Sequence, residues 1–355
     1  MTTTPDAAAT ASVASDAPVV DRLGRSLHDL RISVTDRCNF RCGYCMPKEV
    51  FNDAYGFMPR EAILSFEEIA RVARIAVHEL GVTKLRLTGG EPLLRRDLPT
   101  LVRMLAGIDG LRDLTLTTNG YLLAEQARAL ADAGLARVTV SLDALDQPTF
   151  ALLSGQEREI ERVLAGITAA EDAGLTPIKI NCVVLRGKNE HAVEALARRF
   201  HGTPHIVRFI EFMDVGTLNH WQATQVVTAD EIRALVSRVA PLEPIPPKVP
   251  GEVAERYRYL DGGGEVGIIA SVTRPFCGSC NRGRLSADGR FLSCLFAESG
   301  LDLRELLRGG ADDTTLRAAM IGSWRDRDDR YSEQRAELRK PERARRRLEM
   351  YQIGG

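Results

Sequence analysis

Six of the seven cysteines fall into two tight groups, Cys38, Cys42, Cys45 and Cys277, Cys280, Cys294. Three thiolates on a short loop can hold a 4Fe–4S cluster and leave one iron without a protein ligand, open to a small molecule. The first trio stands in "CNFRCGYC", directly after a β-rich segment. A zinc knuckle with a distant fourth ligand, or plain surface cysteines, are the alternatives. The second trio stands in "CGSCNRGRLSADGRFLSC", where two residues separate Cys277 from Cys280 and thirteen separate Cys280 from Cys294. The Asp288-Gly289 pair favours a turn that folds this stretch into a hairpin and returns Cys294 towards Cys280. A zinc ribbon would need a fourth ligand, and no cysteine or histidine follows Cys280 except Cys294. Arg282 and Arg284 alternate on the strand leaving Cys280, so their guanidiniums point the same way and suit phosphate oxygens. Solvated surface arginines are the plain alternative. Cys182, in "IKINCVVL", reads as a buried small hydrophobe.

Such groups need elements to position them. Short β-rich segments recur at 29–34, 84–89, 113–118, 137–143, 177–184 and 205–213, mostly with amphipathic helical stretches between them. One of these, 65–80, carries Ser65 as its cap and Glu68 three residues on. Another, 124–134, ends in Gly134, a C-cap residue. Strands alternating with helices imply a parallel sheet, doubly wound or barrel-like. Side chains alternate across a strand, so Leu85 and Leu87 oppose Lys84, Arg86 and Thr88, and Ile178 and Ile180 oppose Lys179 and Asn181. The same division sets Arg31 and Ser33, Thr115 and Thr117, and Thr139 and Ser141 on the polar side. One face must pack on the helices, which turns Arg31, Lys84, Arg86 and Lys179 inward. Uncompensated charges do not survive in a packed core, so the interior is expected to be open and to hold a large, anionic ligand.

The repeat fades after about residue 222, and the Pro-rich 240–253 reads as a boundary loop. Hairpin signals and then helical segments follow. The expected organisation is a disordered tail over 1–22, a partial barrel over 23–222, and a C-terminal domain over 223–355 carrying the second trio. The 355 residues, 44% hydrophobic and 27% charged, suit a soluble globular enzyme. A net charge of −1 gives no general attraction to nucleic acid or anionic membrane. No stretch of eighteen apolar residues stands in the chain, and the Ala/Thr-rich first twenty residues lack the marks of a signal peptide. A cytoplasmic protein without membrane or nucleic-acid partners is expected.

"CNFRCGYC" resembles the C-x-x-x-C-x-x-C signature of the radical SAM superfamily, whose open iron chelates the methionine part of S-adenosylmethionine. Tyr44 matches the aromatic residue before the third cysteine. "GGEP" (Gly89–Pro92), with Gly90, matches the segment that meets the methionine amino group; Ser141 and Met213 match cofactor positions at the ends of the fourth and sixth strands. "TTNG" (117–120) is as well read as a turn as a ligand contact. The second trio, together with "DRLGRSLHDLRISVTDRCNFRCGYC", "RFIEFMDVG", "DDRYSEQR" and the terminal "GG", makes nearly the whole chain beyond the first twenty residues resemble the GTP 3′,8-cyclase family of molybdenum cofactor biosynthesis.

The resemblance implies an α/β fold, an incomplete (βα)6 TIM-type barrel of the radical SAM type with a smaller C-terminal α+β domain. It implies two 4Fe–4S clusters, S-adenosylmethionine, and GTP contacts at Arg31, Arg86, Thr117, Lys179, Arg282 and Arg284, with Asn181 and Arg208 as weaker candidates. The implied reaction starts with a 5′-deoxyadenosyl radical that takes hydrogen from C3′ of GTP, after which C3′ attacks C8 of guanine. The family also uses its Gly-Gly tail inside the active site, whereas a frayed terminus is the default for any last residues. Implied partners are an external one-electron reductant and a downstream cyclic pyranopterin monophosphate synthase, with a homodimer left open. Two other readings are weighed: a radical SAM peptide-modifying enzyme with an auxiliary cluster, and a zinc protein binding nucleic acid. The inward Arg/Lys set argues against the first, and the lack of aromatic stacking stripes against the second.

Overall fold

A computed structural model describes residues 18–338 and 347–354. Six parallel strands form the centre: β1 (Asp29–Ser33), β2 (Lys84–Thr88), β3 (Asp113–Thr118), β4 (Arg137–Ser141), β5 (Lys179–Val184) and β6 (Ile206–Glu211). The later chain adds β7 (Leu242–Ile245), β8 (Glu255–Tyr259), β9 (Glu265–Ile269), β10 (Arg282–Leu285), β11 (Arg290–Leu292) and β12 (Leu301–Asp302). All join one sheet of order β12-β11-β10-β1-β2-β3-β4-β5-β6-β9-β8-β7. The sheet does not close on itself among the described residues, so the barrel is incomplete as expected.

Two of these pairings lay outside the local signals of the sequence. β9 runs parallel to β6, and β10 runs parallel to β1. The turn residues announced only their antiparallel hairpins, β8–β9 and β10–β11. The C-terminal third thus supplies both flanks of the barrel wall. The Pro-rich 240–253 stretch is also not all loop, since β7 lies within it and contains Pro244. Proline is tolerated there because β7 is the last strand of the sheet.

Helices cover the outside: α1 (Phe66–Leu80), α2 (Leu98–Ala106), α3 (Leu123–Asp132), α4 (Gln147–Ser154), α5 (Ile160–Asp172) and α6 (Ala192–Phe200). In α1 the Ser65 hydroxyl accepts from the Glu68 amide at 3.2 Å while the Glu68 carboxylate accepts from the Ser65 amide at 2.7 Å. That reciprocal cap fixes the helix start, and Gly81 at φ 80° ends it in the left-handed region. Gly134 (φ 101°) stands just after α3 in the role expected of it. The outward residues Leu30, Ile32, Leu85, Leu87, Val138, Val140, Ile178 and Ile180 share one core with Ile69, Val72 and Leu101 of the helices. Apolar burial of this kind is the main favourable term holding the barrel wall, at about 25 cal/mol per Å².

Past β6 come α7 (Ala229–Val236), α8 (Leu303–Arg308), α9 (Asp313–Arg325), α10 (Tyr331–Leu338) and α11 (Met350–Ile353). No helix among the described residues is long and apolar enough to cross a membrane. The expected N-terminal tail reaches too far. Residues 1–17 lie outside the described part, but Asp21 is buried and pairs with Arg25 and Arg327.

Candidate active site

The two cysteine trios sit at opposite ends of the barrel. Cys38, Cys42 and Cys45 follow the carboxyl end of β1, whereas Cys277 and Cys280 precede the amino end of the neighbouring, parallel β10. A five-residue strand such as β1 spans about 16 Å. All six thiols are free, and among the described residues no three His, Cys, Asp or Glu side chains converge on a single-ion site.

At the carboxyl end, the first loop is stapled by its own backbone. The Cys45 and Met46 amides donate to the Cys42 carbonyl, and Arg41 donates to the carbonyls of Cys38, Phe40 and Phe51. Burial pushes the Cys38 thiol up to about 12 and raises the Cys42 and Cys45 thiols as well. Metal binding removes those protons outright. "GGEP" leaves β2 and presses against the same loop: the Gly90 amide donates to Thr35 O (2.8 Å) and the Glu91 amide to Arg37 O (2.7 Å). Any Cβ at Gly89 or Gly90 would overlap the backbone of Thr35 or Arg37, which is why glycine stands at both.

The Glu91 carboxylate, raised to about 7 by burial, accepts from the Thr118 hydroxyl and Asn119 amide, both at 2.7 Å. Asn119 in turn reaches Asn39 and the Cys38 sulfur, which places "TTNG" at the cluster loop. The Tyr44 hydroxyl donates to Asp143 (2.7 Å), whose other oxygen accepts from the Val183 amide. Ser141 ends β4 as expected. Met213 lies two residues beyond the end of β6 at Glu211, and packs beside Val215, Phe296 and Tyr331.

Between the trios runs a wall of cations. Sheet register aligns Arg284, Arg31, Arg86, Thr115 and Arg137 in one row across β10, β1, β2, β3 and β4. Arg86 and Arg284 are buried, and the Nε atoms of Arg31 and Arg86 are buried with no hydrogen-bond partner. Burial and the neighbouring Arg284 and Arg86 hold Arg31 well below the usual arginine range. Burial, then Arg208, brings Lys179 down to about 7; burial, then Arg86, brings Lys84 to about 8. Arg208 falls to about 9, through burial and then Arg86, and donates to Asn181 at 2.9 Å. Thr117 accepts from Arg86 at 3.3 Å. Asp29, with one unpartnered buried oxygen, and Asp113, which pairs with Arg137 and lies 3.7 Å from the Lys84 ammonium, are the counter-charges at this wall. Desolvated guanidiniums with unused donors fit a polyanion in the lumen.

The second trio is built by the hairpin that the Asp-Gly pair announced, with Gly289 at φ 89° and Ser286 pairing with Arg290. Arg282 contacts the Cys280 sulfur at 3.1 Å. Burial raises the Cys280 thiol, but Arg282 and Arg327 outweigh it and bring it down to about 7. Arg284 is turned the same way as Arg282, yet its guanidinium donates to the carbonyls of Ile353 and Gly354. The tail therefore lies inside the barrel rather than fraying, and a Cβ on Gly354 would collide with Thr88. Glu349 holds it there by accepting from the Thr217 amide and hydroxyl (2.8 Å each), and Tyr351 bonds Tyr55 at 2.6 Å. Gly355 lies outside the described residues.

Arg137, Asp29, Asp143 and Glu349 were not singled out in the sequence. Arg137, Thr139 and Ser141 alternate along β4, and Asp29 alternates with Arg31 along β1, so strand parity marks both. Asp143 and Glu349 carry no local signal.

The radical SAM superfamily model matches residues 32–200, and the molybdenum cofactor synthesis C model matches 205–333. A GTP 3′,8-cyclase of Acidothermus cellulolyticus is 55% identical, covering 90% of this chain and 89% of that protein. Another from Xanthomonas campestris pv. campestris is 51% identical over 96% of this chain and 98% of its own. One from Staphylococcus aureus is 45% identical over 95% and 99%.

Proposed function

The chain belongs to the GTP 3′,8-cyclase family of radical SAM enzymes, and on that premise we propose that it joins C3′ of GTP to C8 of the guanine at the start of molybdenum cofactor biosynthesis. The observation that carries the reading is the in-register cationic wall of Arg284, Arg31 and Arg86 between two open cysteine trios. When bound, the 4Fe–4S clusters and S-adenosylmethionine supply the one-electron chemistry that removes the C3′ hydrogen.

The protein's share is orientation, charge neutralisation and exclusion of water. Cys38, Cys42 and Cys45 would hold one cluster, with Tyr44, the Gly90 backbone, Ser141 and Met213 around the cofactor. Cys277, Cys280 and Cys294 would hold the other, at the base-binding end. Arg31, Arg86, Thr117, Lys179, Arg282 and Arg284 would grip the substrate, and Arg284 would exchange or share its tail carbonyls with it. We assign residues 23–222 to the first cluster's chemistry and 223–355 to the second's, in a cytoplasmic enzyme. An external one-electron reductant and a cyclic pyranopterin monophosphate synthase downstream complete the proposal.

Anaerobic purification with iron and sulfide counting tests it. About eight irons per chain are expected for two clusters, together with 5′-deoxyadenosine whose formation rises on adding GTP to reductant and S-adenosylmethionine. Zinc without sulfide would overturn the scheme.

A further inference from the structure

A buried ion network adjoins the second trio, and no step proposed above uses it. It joins the N-terminal segment 21–25 to the residues that follow α9. The Asp21 carboxylate accepts from the Arg25 amide (2.8 Å) and Nε (2.6 Å), and lies 3.4 Å from the Arg327 guanidinium. Arg25 donates to the carbonyls of Cys277 (2.8 Å) and Asp329 (2.9 Å), and Arg327 donates to that of Cys280 (2.8 Å). The side chains of Asp21, Arg25 and Arg327 are at most 3% exposed. Trp324 packs on the network, its ring 4.6 Å from the Arg327 guanidinium and its indole N–H donating to Arg25 O at 3.0 Å.

Two features mark the network as short of negative charge. Two guanidiniums share one fully buried carboxylate, which is costly unless another anion stands near. The other carboxylate, Asp329, is 29% exposed, lies 3.4 Å from Arg327 Nε and accepts from the Ser293 hydroxyl at 2.6 Å. Arg25 Nη2 and Arg327 Nε are also buried with no hydrogen-bond partner among the described residues, whereas buried donors are normally satisfied. A cluster held by Cys277, Cys280 and Cys294 fits the deficit, since it brings negative sulfur atoms to thiol positions where the Arg327 charge already acts.

We propose that Arg327 and Asp329 set the reduction potential of the second cluster in opposite directions, Arg327 raising it and Asp329 lowering it, with Asp21 and Arg25 holding both in place. The inference rests on the two-cluster part of the reading above. Reduction adds negative charge, so a fixed cation nearby favours the reduced state and a carboxylate disfavours it. The same cation makes the open iron a stronger acceptor for a donor atom of the substrate base. Because Arg25 and Arg327 grip the Cys277 and Cys280 carbonyls, the charges are fixed relative to the ligands themselves. Both arginines are positioning residues.

A redox titration of the anaerobic full-length holoenzyme, followed by electron paramagnetic resonance, tests the idea. Two one-electron midpoints are expected, and the one whose signal responds to S-adenosylmethionine marks the first cluster. Arg327→Gln should lower the other midpoint, cutting its reduced fraction at fixed potential about tenfold, which is about 59 mV. Arg327→Lys, which keeps the charge, should restore most of that shift. Asp329→Asn should raise the same midpoint, and its 29% exposed side chain keeps the test readable should the Arg327 variants misfold. A second midpoint unmoved in either folded variant, or both midpoints moved together, in protein holding about eight irons would overturn the inference and leave the two-cluster reading standing. A wild type with zinc and no sulfide overturns that reading, and the inference with it.

Discussion

The two ends of the barrel hold similar cysteine trios in opposite electrostatic settings. At the carboxyl end the thiols are buried beside Glu91 and Asp143, and burial first, then those carboxylates, keeps the Cys38 and Cys42 protons on. At the amino end, Arg282 and Arg327 overcome the same burial and draw the Cys280 proton off near pH 7, although burial and then Asp329 raise Cys294 of that trio to about 12. S-adenosylmethionine carries a sulfonium cation and GTP a polyphosphate. On the proposed assignment the acidic end would take the first and the cationic end the second, so that one lumen would sort two charged ligands by end.

The largest expected effect separates the two trios. Cys42→Ala should abolish 5′-deoxyadenosine formation altogether. Cys280→Ala should retain cofactor cleavage, now without coupling to GTP, and yield no cyclised product. Each variant should hold about four irons per chain instead of about eight. Loss of cofactor cleavage in a folded Cys280→Ala enzyme that keeps four irons would break the comparison.

A smaller effect is expected from the row between them. Arg284→Ala removes a buried guanidinium that faces both the tail and the lumen. GTP affinity should fall about a hundredfold, taking one charge-assisted hydrogen bond of up to ~3 kcal/mol as the scale. S-adenosylmethionine affinity should stay within about twofold. An equal loss for both ligands would show that the two ends are not electrostatically separate.

Much of this division was legible along the chain. The six central strands stand within two residues of their expected positions, because β-rich runs alternate with capped helices such as Ser65–Leu80. Strand parity brought Arg31, Lys84, Arg86 and Lys179 onto one face, and the Asp-Gly turn folded the second trio. What escaped was non-local. Nothing near Val266 or Arg284 says that their strands run parallel to β6 and β1, since such pairing is chosen by sheet edges far away in sequence. The hold of Glu349 on Thr217, and of Arg284 on Gly354, depends likewise on segments brought together only by the finished barrel.

The smallest effect is a matter of pH, and its sign can be worked out. Burial, then Arg208, Arg137, Lys84 and Arg86, lowers Lys179 to about 7 in the empty lumen, against 10.5 in a free chain. A bound polyphosphate would restore the ammonium, so GTP binding above pH 7 takes up a proton. Affinity should then fall as pH rises from 7 to 8.5, by up to about tenfold per unit for one full proton. Phosphate ionisation, with its second pKa near 6, is about nine-tenths complete at pH 7 and adds little slope over that window. Folding stability of the ligand-free protein moves the other way. The unfolded chain binds more protons at this lysine than the folded one, so its contribution to stability grows with pH from about 7 towards 10.5. Lys179→Arg keeps its charge throughout and should flatten the affinity profile while binding GTP at pH 7 about as well as the wild type. A slope that survives in Lys179→Arg would move the titrating group to Lys84, held near 8 at the same amino end. A slope shared by S-adenosylmethionine binding would instead place it outside the cationic half and dissolve the contrast.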